Sequence, residues 1–166
     1  MGTGQTLLTI AALMLLGTVI LSTNRGIRNN SQVILTTNFG LESVSLATST
    51  IEKAQNLAFD AVTDTDAVNN VTLLTAPSSL GREDNNPSDL NDFDDYNNRL
   101  ETDTLSTGIY FVRTVVYYVS RNTATGTLDS STTRTWSKRL DVSVWNKEDP
   151  LTVVRMSTVF SYWFFN

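Results

Sequence analysis

The sequence has 166 residues and a formal net charge of −5, from 12 basic and 17 acidic side chains, a length that suits one domain or one domain with an appended helix. It contains no Cys and no His, which excludes thiol catalysis, disulfide stapling, imidazole bases and the usual zinc sites. Thr, Ser and Asn supply 25, 16 and 15 residues against three Lys; this composition fits an exported surface protein better than a cytoplasmic enzyme, and no basic stripe marks nucleic acid as a main partner.

Charge is unevenly distributed. Residues 60–103 hold eleven acidic side chains against Arg82 and Arg99, a net charge of −9, and the rest of the chain is net +4. Three parts follow: an apolar start expected to be helical over 1–60, an acidic linking loop over 61–107, and a β-rich aromatic end over 108–166.

Residues 1–24 contain no charged side chain. Within them Leu7, Leu8, Ile10, Leu13, Met14, Leu16, Val19, Ile20 and Leu21 form an almost unbroken apolar run. At about 1.5 Å per residue the uncharged stretch would reach roughly 36 Å as a helix, enough for a hydrocarbon layer of about 30 Å. A secretory signal fits poorly, since no basic segment precedes the run and no small-x-small cleavage site follows it. A plain membrane anchor fits. After Arg25 and Arg28 the pattern becomes amphipathic: Val33, Ile34, Phe39, Val44, Leu46, Ala47, Ile51, Ala54, Leu57 and Ala58 recur largely at spacings of three and four, the mark of a helix with one buried stripe. The first Pro is Pro77. The pattern predicts one helix from about residue 3 to about residue 60, near 85 Å long. Gly17, Ser22, Thr23, Asn24 and Gly26 are weak helix positions, so helical order is expected to be poorest within 17–28. So small a domain cannot bury the front half of this helix, which must lie in a bilayer or against copies of itself.

The acidic middle reads as loop, punctuated by Pro77, Gly81 and Pro87; loops of this length are usually functional or exposed. Asp89, Asn91, Asp92, Asp94 and Asp95 gather oxygens of the kind Ca²⁺ takes. Their spacing is not that of an EF-hand, because the fifth and sixth positions from Asp89 are Phe93 and Asp94. The alternative is a solvated acidic loop anchored by Phe93 and Tyr96. Apart from Ca²⁺ no cofactor is expected. Asn29-Asn30-Ser31 and Asn70-Val71-Thr72 match the N-glycosylation pattern at Asn29 and Asn70.

The end of the chain reads as three strands. Residues 108–120 are β-branched and aromatic. Residues 134–145 alternate, with Leu140, Val142 and Val144 on one face and Arg139, Asp141 and Ser143 on the other. Residues 151–165 supply the last strand. The connections are too short for crossovers, so the strands form an antiparallel meander. Eleven of the fifteen aromatic residues lie here, as core and cross-strand pairs or as a sugar-binding surface. The expected fold is α+β: a long N-terminal helix packed at its C-terminal half on an antiparallel β-meander. No nucleophile motif, glycine-rich phosphate loop or metal triad suggests an enzyme.

In this order the chain resembles the type IV pilin superfamily of pilins, minor pilins and pseudopilins. Four segments carry the resemblance: Gly4-Gln5-Thr6-Leu7-Leu8-Thr9-Ile10 opening the uncharged helix; Ser45-Leu46-Ala47-Thr48-Ser49-Thr50-Ile51-Glu52-Lys53-Ala54; Asn91-Asp92-Phe93-Asp94-Asp95-Tyr96-Asn97, similar to an acidic-aromatic motif of some mannose-sensitive-haemagglutinin-type minor pilins; and Asp141-Val142-Ser143-Val144-Trp145 leading to Val153-Val154-Arg155-Met156-Ser157-Thr158-Val159. The family has a short basic leader ending in Gly and a Glu at the fifth mature position. With Met1 as the mature start that position is Gln5, which can hydrogen-bond a neighbouring amine without neutralising it; cleavage after Gly4 would put Thr9 there. A removed basic leader would also reverse the orientation that Arg25 and Arg28 imply by the positive-inside rule.

The resemblance implies a structural subunit of an extracellular pilus-like filament, with an assembly core of Gln5, Leu7, Leu8, Ile10, Leu13, Met14, Leu16, Val19, Ile20 and Leu21. Its implied partners are copies of itself, the inner membrane before assembly, the pilus assembly machinery and prepilin peptidase. The alternatives are a pseudopilin of a secretion system and a membrane-anchored adhesin that does not polymerise.

Overall fold

A computed structural model describes residues 2–81 and 90–163. One α-helix, α1, runs over Thr3–Gln55, and the chain divides into two compact units, Met1–Phe39 and Gly40–Asn166.

In the first unit the helix passes through Gly17, Ser22, Thr23, Asn24 and Gly26 without a break. The residues expected to weaken it are thus all helical. Its hydroxyls are satisfied within the helix: Thr6, Thr9 and Thr18 donate to the carbonyls of Thr3, Thr6 and Leu15 at 2.8 Å, and Thr23 and Ser31 reach back to Val19 and Ile27. Such back-bonding removes the free donors that would otherwise resist an apolar environment.

The second unit begins with the C-terminal part of α1. Its buried positions are Ser43, Ala47, Thr50 and Ala54, at intervals of four, three and four that keep them on one face. All four are small, so the helix backbone can approach its neighbour closely. α1 stops at Gln55, short of the expected residue 60. Beyond it Ala58 forms a parallel bridge with Asp92, and its carbonyl accepts from the Phe93 N–H at 2.8 Å. The chain leaves the helix early because Asp60 caps a separate 3-10 turn, Ala61–Thr63.

The sheet has five antiparallel strands: β1 Leu100–Leu105, β2 Gly108–Arg121, β3 Leu128–Ser130, β4 Ser137–Asn146 and β5 Val153–Ser161. Their order is β1-β2-β4-β5, with β3 paired to the end of β2. Three of these are the expected strands with adjusted bounds: β2 and β4 each end one residue later than expected, β4 starts three later, and β5 is shorter at both ends; residues 164–166 lie outside the described residues. The other two are additions. β1 falls inside the stretch read as loop because Glu101, Thr102, Asp103 and Thr104 give no apolar alternation; it is an edge strand, where charged side chains are favoured. β3 is only three residues long, and all three are exposed.

Register puts one row of residues on the inner face. Val112 faces Val144, Thr114 faces Val142, Val116 faces Leu140 and Tyr118 faces Lys138. On β5, Met156 and Thr158 continue the row opposite Val142 and Leu140. α1 lies against this face: the Thr48 hydroxyl is 3.9 Å from Met156 Sδ, and Gln55 Nε2 donates to Thr158 Oγ1 at 2.8 Å. At the β1–β2 turn the Ser106 and Thr107 hydroxyls donate to the Glu42 carboxylate, and the Thr107 bond holds that carboxyl below its usual range. Gly108 closes the turn at φ +148°, where a Cβ would sit 3.1 Å from Asn146 Nδ2, so glycine is required on both conformational and steric grounds. Aromatic rings pair between elements, Phe111 on Trp145 and Trp136 on Tyr162.

Ala47 has no exposed surface. Ala47→Leu should overpack the helix–sheet contact and cost about 1–3 kcal/mol, read as a lower thermal midpoint. Ser45→Leu, at an exposed position of the same helix, should leave the midpoint unchanged within about 0.5 kcal/mol.

Candidate functional site: an uncovered apolar helix and a buried charge cluster

The first feature is the surface of α1 in the N-terminal unit. Leu7, Leu8, Leu13 and Met14 are each about two-thirds or more exposed, at 67, 73, 67 and 68 %. Ile10, Leu16, Val19, Ile20 and Leu21 are exposed too, as is Gln5. The most apolar 18-residue stretch has a mean hydropathy of 2.1, and none of it is buried. The helix is therefore long and apolar enough to cross a membrane. A stripe facing one core would leave a polar side, but this helix is apolar around its whole circumference. So large a contiguous apolar surface marks lipid or protein contact. The candidate glycosylation residue Asn29 is exposed further along α1. Asn70 is exposed at a 3-10 turn, where its side-chain oxygen accepts from the N–H and hydroxyl of Thr72 at 3.0 and 2.9 Å.

The second feature is inside the C-terminal unit. Lys138, on β4, has no exposed surface. Its Nζ lies 2.5 Å from Asp94 Oδ1, 2.8 Å from Asp60 Oδ2 and 2.8 Å from the Phe59 carbonyl. The Phe59 ring centroid is 4.7 Å away and that of Tyr118 5.5 Å. Asp60 and Asp94 are likewise fully buried. Asp60 is heavily bound: it accepts from the Thr75 N–H at 3.0 Å and from the Thr75 hydroxyl at 3.1 Å, and it caps the turn that follows it. The Tyr118 hydroxyl donates to the Thr75 carbonyl at 2.8 Å and lies 3.4 Å from Asp60 Oδ2.

Asp94 comes from a 3-10 turn, Asp94–Tyr96, held by its neighbours. Asp92 Oδ1 accepts from the N–H groups of Asp94 and Asp95 at 2.9 and 3.1 Å. Asp95 Oδ2 accepts from those of Asn91 and Asp92 at 2.8 and 3.3 Å. Phe93 and Tyr96 are buried and anchor the segment, but so are Asp92, Asp94 and Asp95. This corrects the expectation of a solvated acidic loop. Of the residues considered for Ca²⁺, Asp89 lies outside the described residues, Asn91 is exposed and contributes its backbone N–H, and the three aspartates turn to backbone donors and Lys138. Among the described residues no group of three or more His, Cys, Asp or Glu is arranged to hold a metal ion.

The cluster sets four buried carboxylates, Asp60, Asp92, Asp94 and Asp95, against one ammonium. Burial pushes the Asp92 carboxyl up to about 8, with the negative charge of Asp94 adding to the effect, Lys138 opposing it and Asp95 raising it further. Asp94 is raised as well, first by burial and against the pull of Lys138. Burial and the charges of Asp60 and Asp94 raise the Tyr118 phenol. Asp92 Oδ2 and Asp94 Oδ2 are both buried without a hydrogen-bond partner, so a proton held by this pair lowers its charge.

The sequence held one sign of this cluster. Lys138 has the same parity as Leu140, Val142 and Val144, which alternate inward along β4. An inward lysine needs buried carboxylates, and the acidic segment 91–97 supplies them.

Comparison with protein-family models, with curated proteins and with solved structures finds no match to the chain.

The Asp92 shift gives a pH dependence with a definite sign. In the folded protein Asp92 keeps its proton up to about pH 8; unfolded, it releases it near its ordinary value of about 4. Between these values the folded state binds more protons, so stability falls as pH rises through the window. With Lys138 and Asp94 unlinked, the thermal midpoint of the detergent-solubilised chain should fall between about pH 4 and about pH 8. Asp92→Asn keeps the Oδ1 acceptor and supplies a permanent neutral donor, and it should flatten that fall.

Proposed function

We propose that the chain is a structural subunit of an extracellular type IV pilus-like helical filament, assembled through the apolar part of α1. The observation that carries this reading is the exposure of the large apolar side chains from Leu7 to Leu21, which lie all round the helix, in the same helix whose last turns pack on a five-stranded sheet. Lipid and neighbouring copies of the helix both satisfy such a surface. A subunit held in the inner membrane before assembly moves from one to the other with little change in apolar burial, which makes transfer into a filament feasible.

In this reading Leu7, Leu8, Ile10, Leu13, Met14, Leu16, Val19, Ile20 and Leu21 interdigitate in a bundle of helices at the filament core. The sheet domain forms the outer surface. Repetition of one head-to-tail contact that does not close gives a helical polymer. The back-bonded hydroxyls of Thr6, Thr9, Thr18 and Thr23 suit a dry bundle because they bring no unpaired donor into it. Gln5 supplies a neutral hydrogen-bonding group near the start of the helix. Prepilin peptidase and the pilus assembly machinery are the partners that processing and polymerisation require.

Leu13→Asp places a charge in the centre of the apolar stretch. The sheet domain should keep its thermal midpoint, and filaments should be lost from the sheared surface fraction, because an unpaired buried carboxylate costs several kcal/mol in an apolar bundle. Normal filaments built from this variant would contradict residues 5–24 as the core.

A further inference from the structure

We propose that Lys138 and Asp94 condense into an intramolecular amide cross-link, an isopeptide bond between Nζ of β4 and Cγ of the Asp94–Tyr96 turn. This inference is independent of the filament reading. It rests on how the partners are held. A primary amine and two carboxylates are fully buried, with Nζ 2.5 Å from Asp94 and 2.8 Å from Asp60. The rings of Phe59 and Tyr118 lie 4.7 and 5.5 Å from Nζ, with no side-chain exposure on Lys138 through which water could solvate an ammonium. Holding an amine and a carboxyl group in contact, away from water, makes their reaction effectively unimolecular, and lysine amines are nucleophiles of this kind once a base takes their proton.

The two carboxylates divide the work by their surroundings. Asp60 accepts from the N–H and hydroxyl of Thr75 and caps the next turn, bonds that hold its carboxylate in place with Oδ2 2.8 Å from Nζ. It is the base. Among the described residues Asp94 Oδ1 is bonded by Lys138, and its Oδ2 is buried without a hydrogen-bond partner. Beside it Asp92 has a buried, unpartnered Oδ2 and is held in place by the backbone N–H groups it binds. Burial raises both Asp92 and Asp94, so protons are available on this side of the amine. Asp94 is the electrophile and Asp92 the acid.

The atoms balance. Asp60 takes one proton from the Lys138 ammonium, leaving a lone pair on Nζ. Nζ attacks Asp94 Cγ while Asp92 protonates the carboxylate oxygen. The tetrahedral centre then loses that oxygen as water, with a second proton from nitrogen passing through the same carboxylates. One N–C bond forms, one C–O bond breaks, and one water leaves. Asp60 and Asp92 end as they began, and no oxidant or cofactor takes part. The product replaces a buried charge pair by a neutral amide and ties the middle of the sheet to the segment that bridges to Ala58, just after α1.

The test is tryptic peptide mapping of the full-length chain by mass spectrometry. The bond predicts that residues 83–99 and 135–139 travel as one species, lighter than the sum of the two peptides by one water, about 18 Da, with no cleavage after Lys138. Fragmentation should place the link between Asp94 and Lys138. In Asp94→Asn the same product should form with loss of ammonia, about 17 Da. Lys138→Met should yield the two peptides separately. Separate peptides from the wild-type chain, with cleavage after an unmodified Lys138, would overturn the proposal, and so would a link mapped to Asp60.

Discussion

A fully buried lysine is the constraint around which the C-terminal unit is organised. An ammonium with no exposed surface is tolerated only if opposite charge and hydrogen-bond acceptors reach it. Lys138 obtains them from two chain segments far apart in sequence, Asp60 just after α1 and Asp94 in the acidic segment. Meeting that demand fixes where both segments run. Asp60 in turn receives Thr75, and the Tyr118 hydroxyl bonds the Thr75 carbonyl. The loop between helix and sheet is thus gathered onto the strand rather than left in solvent. Its buried residues Phe59, Val68 and Leu74 cluster with Tyr118, and Val71, Leu80, Trp136, Phe160 and Tyr162 pack against them, so apolar and polar contacts order it together. As long as Lys138 and Asp94 are unlinked, the excess of carboxylates makes the arrangement dependent on protons, and a proton on Asp92 relieves the repulsion.

The helix has two different physical characters along one continuous ladder. Over residues 43–54 its buried face consists of small side chains matched to the inner row of the sheet. Over residues 5–24 it is apolar all round, and its large apolar side chains are exposed. Stability of the sheet domain and burial of the apolar stretch are consequently separable properties. A substitution at Leu13 and one at Ala47 act on different events, one on association and the other on folding.

Much of the architecture was legible in the sequence because it rests on periodicity. The uncharged run and the absence of proline before Pro77 announced the helix. The alternation of Leu140, Val142 and Val144 announced β4 and its inner face. The helix end was misplaced because Leu57 and Ala58 continue the apolar spacing, whereas Asp60 starts a new capped turn. β1 was missed because an edge strand of Glu, Thr and Asp carries no apolar period. The acidic segment was misread for a related reason: carboxylates are read as solvated unless a partner is visible, and here the partner lies on a strand 44 residues beyond Asp94. Lys138 was visible as an inward position and its partners were not, since ion pairing across a fold leaves no local pattern. Residues 5–24 required no such long-range information, and their exposure follows directly from composition and length.

The account turns on what covers the apolar stretch of α1. The most direct measurement is negative-stain imaging of material sheared from cell surfaces, combined with mass spectrometry of its protein. The account predicts thin filaments in which this chain is the dominant species. Recovery of the chain only from the detergent-extracted membrane, as monomers and with no filaments in the sheared fraction, would contradict it.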